Sequence, residues 1–311
     1  MAHNHTHDHS HHHSHSQPHQ SGRAFAIAIV LNTGFVAIEF IYGFIANSTA
    51  LIADAGHNLS DVLGLMLAGG AVLLARRQPS KRYTYGLRSS SILAALANAM
   101  LLLLACGAIA MEAVERFNQP PVVESLTVSA IAGIGIIVNS LSALLFLKGS
   151  QHDMNVRGAY LHMAADAAVS LAVVIVGLTM FYTNDYYWLD PAITLLIVIV
   201  IVVGTWGLLR ESMRLVLSAV PENIDNAAIE AYLCQLDGVT DCHDLHIWGL
   251  STTETALTVH LVMPNGCPND AFIDDITHTL DHAFSIHHCT LQIEQGDTHH
   301  VCSLTPKQHA H

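Results

Sequence analysis

Residues 51–75, LIADAGHNLSDVLGLMLAGGAVLLA, and residues 158–178, GAYLHMAADAAVSLAVVIVGL, each carry a His-x-x-x-Asp pattern inside an apolar run. The two pairs are His57/Asp61 and His162/Asp166. This spacing puts both side chains of a pair on one helix face. An ionisable side chain at bilayer depth costs about 2.5–3.5 kcal/mol on insertion scales, so it is seldom kept without a function. Two imidazoles and two carboxylates converging between helices make a four-donor nitrogen and oxygen set that suits tetrahedral zinc. A single copy in a soluble helix reads as a buried histidine satisfied by a neighbour. Two copies in two apolar runs read as four metal ligands, with helix–helix hydrogen bonding the competing role for Asp61 and Asp166.

Outward from these runs, six apolar stretches lie near 24–45, 50–75, 89–115, 125–147, 158–181 and 188–209. Each is long enough as a helix to cross a hydrocarbon core of about 30 Å. The 311-residue chain is 51% hydrophobic and only 12% charged, and its net charge of -13 excludes the basic surface that nucleic acid requires. Lys and Arg set the orientation. Arg23, Arg76, Arg77, Lys81, Arg82, Arg88, Lys148, Arg157, Arg210 and Arg214 all fall on one side of a six-span arrangement, and only Arg116 falls on the other. Both termini are therefore expected in the cytosol.

After about residue 221 the chain turns polar. A helix-like PENIDNAAIEAYLCQLDG precedes strand-like runs near 239–249 and 254–263, a helix near 269–285 and a last strand near 288–295. This α-β-β-α-β order predicts a small α+β sandwich with helices on one face of a three-stranded sheet. His243 and His260 are placed to project from adjacent strands and Glu294 from the third, which predicts a second His/His/carboxylate metal site. His246, His278, His282, His287 and His288 lie nearby in sequence, and Cys289, His299, His300 and Cys302 are lesser candidates. The six cysteines show no C-x-x-C pairing, and five of them follow residue 230 in the expected cytosolic part, so no disulfide is predicted. Glu39 in the first span and Asp54, one turn before His57, are candidates for supporting or proton-path groups. A cap at the start of the second span is the alternative for Asp54. Nine histidines in the first 20 residues, without an apolar run, read as a disordered weak metal collector rather than a signal peptide.

ADAGHNLSD (53–61), HMAADAAVS (162–170), RYTYGLRSSS (82–91), LDPAITLLI (189–197), CHDLHIWGL (242–250) and IHHCTLQIE (286–294) together resemble the cation diffusion facilitators, and among them the bacterial zinc exporters. The resemblance runs from about 24 to 296. It implies a homodimeric metal/proton antiporter of the bacterial inner membrane, with six transmembrane helices and a ferredoxin-like, metallochaperone-like cytosolic domain. It implies that His57, Asp61, His162 and Asp166 hold the transported Zn2+, and that His243 and His260 bind Zn2+ as a regulatory ligand. Where some members place a terminal Asp ligand this chain has Gly296, with Glu294 and Asp297 beside it. The segment 76–86, RRQPSKRYTYG, between spans two and three offers no His, Asp or Glu, so no metal site is expected there.

The organisation expected is a histidine-rich tail over 1–22, a six-helix membrane domain over 23–216, a cytosolic α+β metal-binding domain over 217–298 and a tail over 299–311. The partners expected are Zn2+, protons, lipid and a second copy of the chain. Two rival readings are a membrane-bound metal sensor or storage protein without flux, and an intramembrane metalloenzyme. The enzyme reading needs an open metal position and a general base, and no H-E-x-x-H is present.

Overall fold

The computed structural model describes residues 19–75, 77–147 and 154–296. The described residues form eight helices and three strands: α1 (His19–Ile45), α2 (Thr49–Ala75), α3 (Ser90–Asn118), α4 (Ser125–Leu147), α5 (Met154–Thr183), α6 (Leu189–Val216), α7 (Asn226–Cys234), β1 (Asp241–Gly249), β2 (Thr255–Val262), α8 (Asp270–Phe284) and β3 (His288–Glu294). Among the described residues, Ser90–Asn118, Ser125–Leu145, Tyr160–Thr183 and Leu189–Val216 are long and apolar enough to cross a membrane. The apolar part of α1, Val30–Ile45, is shorter, and α2 carries Asp54, His57 and Asp61 in its first half. Apolar side chains face outward on these helices, with Val203 72% and Leu104 68% exposed, a surface that water alone would not support at this extent.

The contacts divide into two compact units: residues 1–62 with 109–197, and residues 63–108 with 198–311. In the first, α4 and α5 approach closely because glycines line their seam. A Cβ on Gly177 would collide with Ser129 Oγ and stand 3.2 Å from the Ser125 carbonyl. One on Gly135 would come within 2.8 Å of Phe35 Cζ and 3.0 Å of Ser170 Oγ. The α1–α2 turn passes through Asn47 at φ 55°, the left-handed region that Asn tolerates better than most residues. Asp190, at the start of α6, secures that turn. Its carboxylate accepts from Ser48 Oγ and, at 2.8 Å each, from Thr49 N and Thr49 Oγ1. An anionic acceptor thereby satisfies one of the unpaired N–H groups at the N-terminus of α2. Asp54 lies inside α2, 1% exposed, and is not its cap.

In the second unit β1, β2 and β3 form one sheet in that order, β1–β2 antiparallel and β2–β3 parallel. The parallel pair requires a crossover, which α8 supplies. Asn269 caps α8 by accepting from Phe272 N. Ile229 and Leu233 from α7, Leu257 and Leu261 from β2, and Ile276 and Leu280 from α8 close the core. The segment entering α3 is tied to the β1–β2 hairpin. Arg88 Nη1 lies 2.7 Å from Glu254 Oε1, Ser89 Oγ donates to the Leu250 carbonyl, and Thr252 N donates to Ser91 Oγ.

One expectation is overturned here. Cys234 and Cys242 form a disulfide, their Cα atoms 5.5 Å apart. The turn at 235–240 folds the end of α7 back beside the second residue of β1, so a pairing invisible in the spacing arises from helix-on-sheet packing. Cys106, Cys267 and Cys289 are free. Residues 1–18 of the histidine-rich tail, Arg76, Lys148 and the tail 299–311 with His299, His300 and Cys302 lie outside the described residues, as does Asp297.

Candidate metal centres

The first unit brings the two His-x-x-x-Asp pairs face to face. Along α2, His57 Nε2 lies 3.8 Å from Asp61 Oδ2, and along α5, His162 Nε2 lies 3.7 Å from Asp166 Oδ2. Across the helices, His162 Nε2 meets Asp61 Oδ2 at 3.1 Å and His57 Nε2 meets Asp166 Oδ1 at 3.6 Å. A tetrahedron with zinc–ligand bonds of about 2.0–2.1 Å has edges of about 3.3–3.4 Å. The four contacts scatter around that edge length. Ligand atoms of His57, Asp61 and His162 all fall within 4.8 Å of one another; Asp166 lies outside that group, its Oδ1 near His57 and its Oδ2 near His162.

The donors differ in access. Asp166 has a side chain only 4% exposed, whereas those of Asp61 and His162 are 36% and 39% exposed. Asp166 Oδ2 is buried without a hydrogen-bond donor. A buried anionic oxygen left unpartnered costs free energy that a bound cation recovers. These are the residues expected from the sequence, each set on its helix by the four-residue spacing. Behind the cage sit two side chains that the sequence left between supporting and bland roles. Glu39 Oε2 accepts from Asn58 Nδ2 at 3.4 Å, and Asp54 Oδ2 accepts from Ser170 Oγ at 3.3 Å.

The second cluster lies on the sheet. His243 and His260 are direct partners across β1 and β2, their ring centroids 5.2 Å apart. Glu294, at the end of β3, reaches both: Oε2 is 3.5 Å from His243 Nε2, and Oε1 is 2.9 Å from His260 Nδ1. Asp244 joins them, although strict alternation along β1 would send it to the opposite face from His243. The register slips between His243 and His246, and Asp244 takes φ 53°. Its Oδ2 thus lies 3.7 Å from His260 Nε2, and its Oδ1 3.3 Å from His246 Nε2. No residue type in CHDLHIW announces this bulge, so sequence reasoning missed Asp244. The remaining histidines go elsewhere. His278 and His282 stack on α8 with centroids 4.2 Å apart, His287 Nδ1 accepts from Thr255 N, and His288 meets the ring of Tyr85. Cys289 contacts Thr277.

The sequence matches known families and proteins. Residues 25–217 match the family described as the cation efflux transmembrane domain, and residues 221–296 match the cytoplasmic domain of cation efflux proteins. The chain is 35% identical over 278 residues to the metal cation efflux system protein CzcD of Cupriavidus metallidurans, covering 89% of this chain and 88% of the relative. It is 33% identical over 279 residues to the cadmium, cobalt and zinc/H(+)-K(+) antiporter of Bacillus subtilis, covering 88% and 89%. To the zinc transporter ZitB of Escherichia coli it is 34% identical over 303 residues, covering 96% and 94%.

Proposed function

The chain belongs to the cation efflux family, and from that premise we propose that it exports Zn2+, with Cd2+ and Co2+ as further cargo, in exchange for protons. The observation that carries the reading is the cage of His57, Asp61, His162 and Asp166, whose cross-helix contacts of 3.1–3.6 Å fit a tetrahedral dication. The membrane part is read as six spans, α1 to α6, in a domain over 23–216, with both termini in the cytosol and the membrane being the bacterial inner membrane. The part over 217–298 is read as a cytosolic domain of ferredoxin-like kind. Its α-β-β-α-β order supports that reading, and the name of the matching family model, ZT_dimer, supports dimerisation through it.

The chemistry follows from the donors. Binding Zn2+ requires neutral imidazoles and ionised carboxylates, so metal entering from the cytosol displaces protons. Protons returning from the more acidic outer side compete for the same nitrogens and oxygens and expel the metal. Imidazole, with an ordinary pKa near 6.5, exchanges its proton in the working range. Alternating access of the cage to the two sides converts this competition into export. His243, His260 and Glu294 bind a second Zn2+ that reports the cytosolic concentration, and the ties from Arg88, Ser89 and Ser91 to the β1–β2 hairpin offer a route from that domain to α3.

A sensor or storage protein would use the cytosolic cluster equally well, but it has no need of four donors inside apolar helices. The test is zinc flux into proteoliposomes under an imposed pH gradient, with wild type beside His57→Ala. Zinc moving against protons and lost in the variant supports export. Zinc binding without flux in wild type hands the case to the sensor.

A further inference from the structure

Glu39 and Asp54 are not cage donors, yet they are 0% and 1% exposed. The two carboxyl groups lie close enough to act on each other. Asp54 and Asn58, four apart on α2, share one face, and Asn58 in turn donates to Glu39. On the sides turned away from Asn58 and Ser170, Glu39 Oε1 and Asp54 Oδ1 find no N–H or O–H donor. Ionised carboxylates only accept, so neither can satisfy the other's bare oxygen unless one holds a proton. Among the described residues no Lys or Arg is paired with either; Arg88, Arg116 and Arg214 pair with Glu254, Glu112 and Glu222. The groups facing the pair from α2 and α5 are His57 and Asp166, with Asn58 and Ser170 as neutral partners. Two like charges buried side by side without a cation are costly, and one proton held by the pair removes that cost.

The placement is as informative as the burial. Asp54 lies one helical turn before His57 on α2, and its partner Ser170 lies one turn after Asp166 on α5. Both offsets run toward the start of α2 and the end of α5. In the topology proposed above, that is the extracytosolic side of the cage.

We propose that the Glu39–Asp54 carboxyl pair is a proton-holding station of the exchange, set between the metal cage and the extracytosolic side. The inference rests on the exporter reading. With the cage empty, the O–H of one carboxyl donates to the other carboxylate. A divalent cation arriving one turn from Asp54 stabilises the doubly ionised pair, so that O–H bond breaks and the proton passes to water. When a proton from the outer side re-forms the O–H bond, a negative charge beside the cage is removed and the metal leaves more readily. No other bond forms or breaks.

The test is calorimetric titration of full-length protein with Zn2+ in buffers of different ionisation enthalpy, which counts protons released per metal bound. Glu39→Gln keeps volume and hydrogen-bonding capacity but holds no exchangeable acid. We expect it to release about one proton fewer per Zn2+ while the cage still binds, and its zinc flux in proteoliposomes to lose most of its dependence on the pH gradient. Asp54→Asn should behave alike, and Glu39→Asp should restore the proton count. An unchanged count in Glu39→Gln and Asp54→Asn, with unchanged flux against pH, would overturn the proposal and leave the pair a structural contact. If wild type carries no flux at all, the exporter reading fails instead, and the proton count still decides whether the pair titrates with metal.

Discussion

Replacing Asp166 by Asn tests the cage at its most enclosed donor. Asp166 is 3% exposed, and its two oxygens lie 3.6 and 3.7 Å from the two imidazoles. The substitution keeps shape and volume, so α5 should pack as before. It removes one of two anionic donors, and water has little access from which to replace it. Four-ligand zinc sites bind with about 10–16 kcal/mol, so an equal share is about 2.5–4 kcal/mol per donor, or about 60- to 700-fold in Kd. The partly exposed Asp61 can be replaced by solvent more easily, so Asp166→Asn should lie toward the upper end. The assay is zinc titration of full-length protein carrying His260→Ala to silence the cytosolic cluster, with flux in proteoliposomes alongside. Thermal unfolding of the same variant checks that the fold survives. A Kd within about threefold of the unsubstituted cage would show that Asp166 is not a ligand, because even the lower bound of an equal share exceeds that by more than tenfold.

In the cytosolic cluster, Asp244→Asn should weaken zinc binding by about 10–100-fold, as removal of a group that orients a ligand does, read by titration of the intact chain against His260→Ala. Gly177→Val places branched carbons against Ser129 and the Ser125 carbonyl; it should cost about 1–3 kcal/mol, seen as a lower unfolding temperature in detergent, and an unchanged temperature would refute the close α4–α5 seam. Cys234→Ser opens a link across a sequence separation of 8, worth about 2.6 kcal/mol by the loop-entropy relation. That loss should vanish when wild type and variant are compared in reductant, and a difference that persists would point to packing rather than the bond.

The elements most legible in the sequence are those set by periodicity. The stretches 125–147 and 188–209 anticipate α4 (Ser125–Leu147) and the start of α6 (Leu189–Val216), because apolar composition and Pro or Ser boundaries act locally. The strand–strand–helix–strand order after residue 238 was readable for the same reason. Partnerships between elements were not readable. That Asp190 would satisfy the start of α2 across more than 140 residues depends on where α6 lands. Cys234 and Cys242 pair because α7 packs back on β1, and Asp244 joins His260 because of a register slip that leaves no mark in composition. Asp54 illustrates the limit well. Its position after an Asn-Ser-Thr turn fits a helix cap, and only the neighbouring helices show it buried against Glu39 and Ser170.

The donor types also argue for the kind of ion carried. Two carboxylates and two neutral imidazoles bring a charge of -2 into apolar helices, which a dication cancels. A monovalent cation leaves one negative charge uncompensated, and a cage of four carboxylates would leave two. An uncompensated charge at bilayer depth costs about 2.5–3.5 kcal/mol or more, so a neutral loaded site lowers the barrier to the rearrangement that exposes it to the other side. The emptied cage meets the same constraint, because two bare carboxylates without a cation are as costly as an unbalanced loaded state. Protons are what is at hand to neutralise it. With the cage as the transport site proposed above, exchange becomes an electrostatic requirement: metal and protons alternate because the helices tolerate the cage only when its charge is covered.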